Sequence, residues 1–330
     1  MTPGPVLYSV VVTAHNAAAT ISSCLGSLDR QAGIVREALE IIVVDDRSND
    51  GTAAAAEASG TAGLRVMRIR RRGEEALTAR QAALDAGISA ARGAIVLTLD
   101  ADGSAGSGWV ASMAGPIEQG LADAVAGPVT FRDGRGGLAG WQTVDAAFYL
   151  AFCHMLNRFG LRSGVFFGNF AFRRSIYGEI GGFRRIGFAL TEDLAFAQAL
   201  QAWGGKIHYT PSAPVEVAAC LDWRSFLERA LRISAGGVSA LSVAMGLWMA
   251  SLPLLAAAAL LLGGAFPLFL ALRYAAGAAF VQTALSAGGG RGLQVRALIY
   301  EPVALLIGLQ VALRLMFTRK VAWGGILYDR

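Results

Sequence analysis

Over the first 130 residues, short β-branched runs alternate with alanine-rich amphipathic stretches. Tyr8–Thr13, Glu40–Val44, Leu64–Ile69, Ala94–Leu99 and Ala124–Val129 read as buried strands, with helices expected over Ala17–Leu28, Thr52–Ser59, Thr78–Ala90 and Trp109–Gln119 between them. Strand and helix in strict alternation predict an α/β domain with a mostly parallel sheet. Ligands of such sheets bind beyond the carboxyl ends of the strands. There the chain carries Thr13-Ala14-His15-Asn16, Asp45-Asp46 and Asp100-Ala101-Asp102, so three strands deliver polar groups to one edge.

The pattern then changes twice. A glycine-rich turn is expected over Asp133–Gly137. After it Trp141, Val144, Phe148, Phe152, Met155 and Phe159 recur every three or four residues, as on an amphipathic helix. Strand-like VFFGNFAF, the acidic stretch TEDLAFAQALQAWG and a short strand KIHY follow. From 233 to 272 no residue is charged, about twice the length one bilayer crossing needs. Gly263-Gly264 and Pro267 interrupt it, so two spans near 240–262 and 268–287 are expected, with Arg273 snorkelling to the far surface. A third apolar segment, 297–317, reads equally as a span or as an interfacial helix. The expected division is a cytoplasmic domain over 1–232 and a membrane region over 233–330.

Charge supports that division. The net +5 falls entirely in residues 236–330, where Arg273, Arg291, Arg296, Arg314, Arg319, Lys320 and Arg330 face only Glu301 and Asp329. A neutral first part argues against nucleic acid as partner, and a basic apolar tail suits an anionic membrane face. Cys24, Cys153 and Cys220 are far apart, which excludes a disulfide framework or a zinc motif and fits a reducing compartment. The first residues lack a positive leader, so the N-terminus is expected to stay in the cytoplasm.

Three acidic pairs carry candidate chemistry. Asp45-Asp46 closes the strand IIVVDD before a turn of small polar residues, where a carboxylate accepts hydrogen bonds from a base or ribose; Ser48 or Asp50 equally serve as helix caps. Asp100 and Asp102 are two apart, so on extended backbone both project to one side, where they either hold a hard divalent cation or form a solvated acidic turn. Glu192-Asp193 opens an apolar helix whose expected cap is Thr191; capping explains the pair, and so does a general base. The run Arg68, Arg70, Arg71 and Arg72 reads as a solvated face, and His15, His154 and His208 as structural.

Taken in order, SVVVTAHNAAATISSCLGSL, EIIVVDDRSNDGT, IVLTLDADG and GNFAFRRSIYGEIGGFRRIGFALTEDLAFAQALQAWGGKIHYTP resemble the family 2 glycosyltransferases, inverting sugar-nucleotide enzymes of the GT-A fold. The resemblance spans roughly residues 8–212. It implies that Asp46, with Asp45 beside it, contacts the nucleotide base, that Thr13, Asn16 and Arg80 approach the donor, and that Asp100 and Asp102 hold the diphosphate with Mg2+ or Mn2+. It makes Asp193 the base for the acceptor hydroxyl, with Glu192, Arg229 and Arg232 as further diphosphate or acceptor contacts. Arg47 replaces a glycine usual in the family and Gln81 an asparagine. The processive members' Gln-x-x-Arg-Trp is incomplete at Arg229–Ile233, and VAWGGILY is similar to the ending of membrane members that glycosylate hopanoids, ceramides or carotenoids.

The expectation is a GT-A domain followed by transmembrane helices in the inner membrane, moving one sugar from a nucleotide-sugar donor to a membrane lipid, with its catalytic domain cytoplasmic. Its rivals are a polyprenyl-phosphate sugar synthase, a polysaccharide synthase and a non-catalytic nucleotide-sugar-binding scaffold. A dinucleotide oxidoreductase is disfavoured because no Gly-x-Gly-x-x-Gly follows the first strand.

Overall fold

The computed structural model describes residues 6–70, 76–132, 137–288 and 292–329. Arg71, Arg72, Arg291, Arg330 and, apart from Gly137, the turn expected over Asp133–Gly137 lie outside the described residues. The chain forms two compact units: residues 1–129 with 164–218, and residues 130–163 with 219–330. These units are defined by packing, whereas the boundary expected at 232 rests on polarity, so the two divisions answer different questions.

In the first unit β1 (Tyr8–Ala14), β2 (Leu39–Asp46), β3 (Leu64–Ile69) and β4 (Ile95–Asp100) run parallel. Helices α1 (Ile21–Asp29), α2 (Thr52–Glu57), α3 (Ala79–Ala90) and α4 (Trp109–Glu118) alternate with them, and β5 (Ser104–Ala105) precedes α4. Val10, Val11 and Val12 of β1 and Ile41 to Val44 of β2 are wholly buried. Both faces of these strands are therefore covered, which is why their sequences read as unbroken apolar runs. Helix α1 starts four residues later than expected, because the backbone amides of Ala17 and Ala18 donate to Thr52 Oγ1 and Asp50 Oδ2 of the turn after β2. Those bonds hold residues 17 and 18 to that turn.

The strand expected over Ala124–Val129 is two, β6 (Ala124–Ala126) and β7 (Val129–Phe131), parted at Pro128, which has no N–H for a ladder. After the long helix α5 (Gly137–Arg158), VFFGNFAF becomes one 3-10 turn and the strand β8 (Phe170–Arg173). Then come α6 (Arg174–Glu179), α7 (Gly182–Ile186), α8 (Glu192–Trp203), β9 (Ile207–Tyr209) and β10 (Val215–Val217). The main sheet has the order β3-β2-β1-β4-β8-β6-β9, with β8 antiparallel to its neighbours β4 and β6, and β10 pairs antiparallel with β5. Phe196 of α8 is fully buried against the rings of Phe167, Phe170, Phe172, Tyr177 and Phe183. That aromatic core fixes where the first turn of α8 stands.

The second unit is helical. It holds α5, α9 (Trp223–Ser234), α10 (Ala240–Leu262), α11 (Phe266–Ala287) and α12 (Gln294–Leu315), and ends in a hairpin of β11 (Lys320–Trp323) and β12 (Ile326–Asp329). Helices α10, α11 and α12 are each long and apolar enough to cross a membrane, with mean hydropathy of 2.0, 1.4 and 1.6. The aromatic stripe of α5 proves to be packing: Phe148 meets Phe280 and Tyr300, and Phe152 meets Trp248. Phe159 alone of that stripe's phenylalanines is exposed.

Arg273 departs from expectation. Its side chain is partly buried, pairs with Glu301 of α12 at 2.9 Å and lies 4.0 Å above the ring of Trp248. Snorkelling is unnecessary once a carboxylate is within reach, since pairing removes the cost of a lone charge among apolar helices.

Candidate active site

Register alone brings the acidic motifs together. Thr13 of β1 pairs with Val44 on one side and Asp100 on the other, and Ala14 pairs with Asp45. The carboxyl ends of β2, β1 and β4 therefore lie side by side, with the Asp45-Asp46 and Asp100 strands flanking β1.

At the end of β2 the chain turns within hydrogen-bonded loops. Asp45 Oδ1 accepts from the Ser48 amide at 3.3 Å, and the Asn16 amide donates to Ser48 Oγ at 2.9 Å. Asn16 Oδ1 accepts from the Asn49 amide at 3.0 Å, stitching the β1 turn to the β2 turn. Asp50 accepts from the amides of Thr52 and Ala18, so it braces the turn as well as the start of α2. The Thr52 hydroxyl, followed by the Ala18 amide, holds the Asp50 carboxyl below its ordinary range. Asp46 is buried and accepts both Nε and Nη2 of Arg47, at 2.9 and 2.8 Å.

At the end of β4, Asp100 receives Nη2 of Arg80, while Nε of the same arginine donates to Glu192 Oε1 at 2.6 Å. Arg80 is the second residue of α3 and Glu192 the first of α8, so one guanidinium clasps three elements. Burial by itself would lower the Arg80 pKa, but Asp100 and Glu192 more than offset it and keep the group protonated. Asp102 is pushed towards its neutral form instead: burial first, then the neighbouring Asp100 charge, raise its carboxyl pKa. Its Oδ2 accepts from the Ala218 amide at 3.3 Å.

Asp193 stands next to Glu192 in a different environment. Glu192 is buried, whereas Asp193 is half-exposed and its Oδ1 accepts the Leu194 amide at 2.8 Å. Helix α8 begins where expected, but the Thr191 side chain makes no capping bond; the first-turn acids meet the amides and the arginine instead.

Among the described residues no group of three or more His, Cys, Asp or Glu side chains is arranged to hold a metal. Two carboxylates suffice for Mg2+ or Mn2+, which complete their shells with water and substrate phosphate. Burial, and then the Asp100 charge beside it, disfavour a charged Asp102 carboxylate without a counter-ion, and hard oxygens are the donor type such a cation takes. The residues therefore fit the cation.

Three residues that shape this candidate site were not named among its residues from sequence, Gln81 having stood out only as a departure from the family's asparagine. Gln81 is fully buried, forms a capping box with Thr78, donates to the Gly187 carbonyl at 2.8 Å and accepts from the Ala189 amide at 3.1 Å, tying α3 to the loop before α8. Asn169 accepts from the Trp109 indole and donates to the carbonyls of Pro128 and Ala213. Gly168 abuts Asp100: a Cβ there would lie 2.8 Å from Oδ2. Gln81 follows Arg80 directly, which is its one local signal; Gly168 and Asn169 lie far in sequence from every acidic motif and gave none.

Arg229 and Arg232 belong to α9 in the second unit. Arg229 lies over the Phe131 ring at 4.8 Å and Arg232 over Trp323 at 4.5 Å. Arg68, from the arginine run, makes an exposed ion pair with Glu57 at 3.0 Å, in keeping with a solvated face.

Comparison with known proteins bears on the family and the fold. Residues 9–181 match the model of the glycosyl transferase family 2. Undecaprenyl-phosphate 4-deoxy-4-formamido-L-arabinose transferases from Pseudomonas paraeruginosa and Pseudomonas aeruginosa are 37% identical over 107 residues, covering 31% of this chain and 30% of theirs. The match thus spans under a third of those relatives' length. A mannosyltransferase from Pyrobaculum calidifontis, solved with GDP-Man and Mn2+, superposes over 92% of this chain and 88% of its own, with a TM-score of 0.54 and 21% identity. Sheet order, acidic strand ends and this likeness identify the fold as GT-A, as the motifs implied. With the family model matched across more than half of its length, the chain belongs to glycosyl transferase family 2.

Proposed function

We propose that this protein transfers a single sugar from a nucleotide-sugar donor to a membrane lipid, with inversion at the sugar carbon. The observation that carries the reading is the Arg80 clasp, which links the Asp100 strand end to the Glu192-Asp193 helix start. In this reading the donor's nucleoside lies at the Thr13, Asn16, Asp45 and Asp46 turns and its diphosphate at Asp100, Asp102 and Arg80. Asp100 and Asp102 hold Mg2+ or Mn2+, which when bound neutralises charge on the leaving diphosphate. The acceptor hydroxyl passes its proton to the half-exposed Asp193 carboxylate as its oxygen bonds to the sugar carbon. The bond to the diphosphate breaks on the opposite face, so inversion follows. Burial of Glu192 under Arg80 leaves the proton to its neighbour.

Residues 1–232 act in the cytoplasm and the remainder in the inner membrane. Helices α10 and α11, about 33 Å long at 1.5 Å per residue, suit a hairpin through a hydrocarbon core of about 30 Å. The contact of Trp323 with Arg232, seven residues before the Ser239 cap of α10, supports a C-terminal hairpin on the same side as the start of α10. Arg229 and Arg232 of α9 then face the lipid headgroup and acceptor region. An aqueous thiol reagent should label a cysteine at Asp329 from the side that labels one at Ser234, and the opposite side from one at Gly264.

The direct test is transfer of radiolabelled sugar from nucleotide-sugar donors into membrane lipids by the purified protein. Asp193→Asn is expected to lower transfer by about 10²–10⁴-fold with donor affinity kept. A second reading, a lipid phosphate as acceptor, is favoured by the names of the curated relatives. A phosphate needs no base, so near-normal transfer to a polyprenyl phosphate by Asp193→Asn selects that reading.

A further inference from the structure

Among the described residues, two that are not glycine have positive φ: Asn16 at 51° and Arg47 at 58°. Both stand at the sheet edge where the nucleoside is proposed to bind. Asparagine tolerates this region, but for arginine it costs about 1 kcal/mol, and such strain persists where the side chain it aims is used. Arg47 spends its side chain on a two-pronged bond to Asp46. Of that pair the carboxylate is hidden, with 6% of its side chain exposed, and the guanidinium is more open at 26%. A base arriving from solvent meets the arginine before the aspartate.

We infer that Arg47, held in place by Asp46, is the residue that reads the donor's nucleobase. The proposal rests on the donor-site reading above and reassigns one role within it. Asp46 becomes a positioning residue that fixes the guanidinium, and the base is recognised through acceptors, such as the carbonyl oxygens of uracil or guanine, that take a charge-assisted N–H bond. The turn itself is braced independently by Asp45, Ser48, Asn16 and Asp50. Removing the arginine side chain therefore leaves the loop standing.

Calorimetry with UDP and GDP in Mg2+ buffer, on the full-length protein in detergent, tests the assignment. Arg47→Gly relieves the backbone strain but takes the arginine from the hidden Asp46 carboxylate, so its fold is checked by melting temperature; Arg47→Asn, which also accepts positive φ, is the companion variant. Both are expected to weaken the preferred nucleotide by about 10- to 100-fold, the scale of a hydrogen bond to a charged group. Asp46→Asn should weaken it too, yet cost nothing further in the Arg47→Gly background. Unchanged or tighter binding by both Arg47 variants overturns the proposal, and so does a further tenfold loss from Asp46→Asn in that background, which would make Asp46 the reader. Failure of the unaltered protein to bind either nucleotide overturns the donor-site reading, and this inference with it.

Discussion

Two partly buried arginines, Arg80 and Arg273, each pair with carboxylates, and their surroundings differ in kind. Arg273 is closed: Nε donates to Ser251 Oγ, Nη2 to the Trp248 carbonyl, and Nη1 to both oxygens of Glu301, while the Trp248 indole gives Glu301 a further bond at 2.6 Å. One positive charge meets one negative charge, and the donors are spent. Arg80 instead serves Asp100 and Glu192 with Asp193 in its field, and Asp102 stands beside Asp100 with its proton affinity raised. A saturated neutral network holds helices together; a network with surplus carboxylates is the one proposed to take cation and diphosphate.

The largest contrast comes from paired apolar replacement. Glu301→Ala leaves the Arg273 charge buried alone and should cost about 3–5 kcal/mol, read as a fall in melting temperature in detergent, while Arg273→Met with Glu301→Leu should recover most of it. Arg80→Met with Glu192→Leu should give a folded protein without measurable sugar transfer. Transfer retained by that second pair breaks the comparison.

Cation removal sharpens it next. Excess EDTA should weaken donor binding by at least about tenfold, because carboxylates without a cation repel a diphosphate, and Asp102→Asn should weaken it by removing a ligand of that cation. Saturating Mn2+ should stabilise the unaltered protein by about 2–3 kcal/mol at 100 times its dissociation constant. Asp102→Asn should lose that gain, and Arg273→Met with Glu301→Leu should keep it. Equal cation response in Asp102→Asn counts against the site.

Two glycines allow a finer cut. A Cβ on Gly277 would meet the Glu301 carboxyl carbon at 2.6 Å, and one on Gly168 would meet Asp100 Oδ2 at 2.8 Å. Alanine at either should cost about 1–3 kcal/mol. Gly168→Ala should lower transfer beyond what its stability explains, whereas Gly277→Ala should lower activity only as far as it unfolds the helices. The smallest effect belongs to the tail: Trp323→Ala removes the stacking on Arg232 and should cost about 0.5–2 kcal/mol. Deletion of residues 321–330 should reduce transfer to lipid more than donor binding, and full lipid transfer in the truncated protein removes the tail from the acceptor side.

Much of the site was legible because its chemistry sits where strands end. IIVVDD and AIVLTLDAD announce themselves by an apolar run stopping at acids, and parallel pairing of β1 with β2 and β4 follows from the alternation of elements. Partnerships across the fold were not legible. Arg80 and Glu192 are 112 positions apart, and no local pattern says that one guanidinium serves both Glu192 and Asp100. Arg273 showed the same limit, since an arginine in an apolar helix reads as snorkelling until Glu301, 28 positions on, is brought beside it.

Local periodicity, turn chemistry and charge counting therefore determined the element types, the sheet edge that carries the acids and the apolar character of the three C-terminal helices. These depend on neighbours within a few residues, whose spacing the chain states directly. Tertiary structure alone decided which carboxylate meets which arginine, that Asp46 is hidden behind Arg47, and that Gln81 and Asn169 hold the loops around the acids. Those outcomes depend on burial and on distances between segments remote in sequence, where each polar group takes the partner that packing leaves within hydrogen-bond reach.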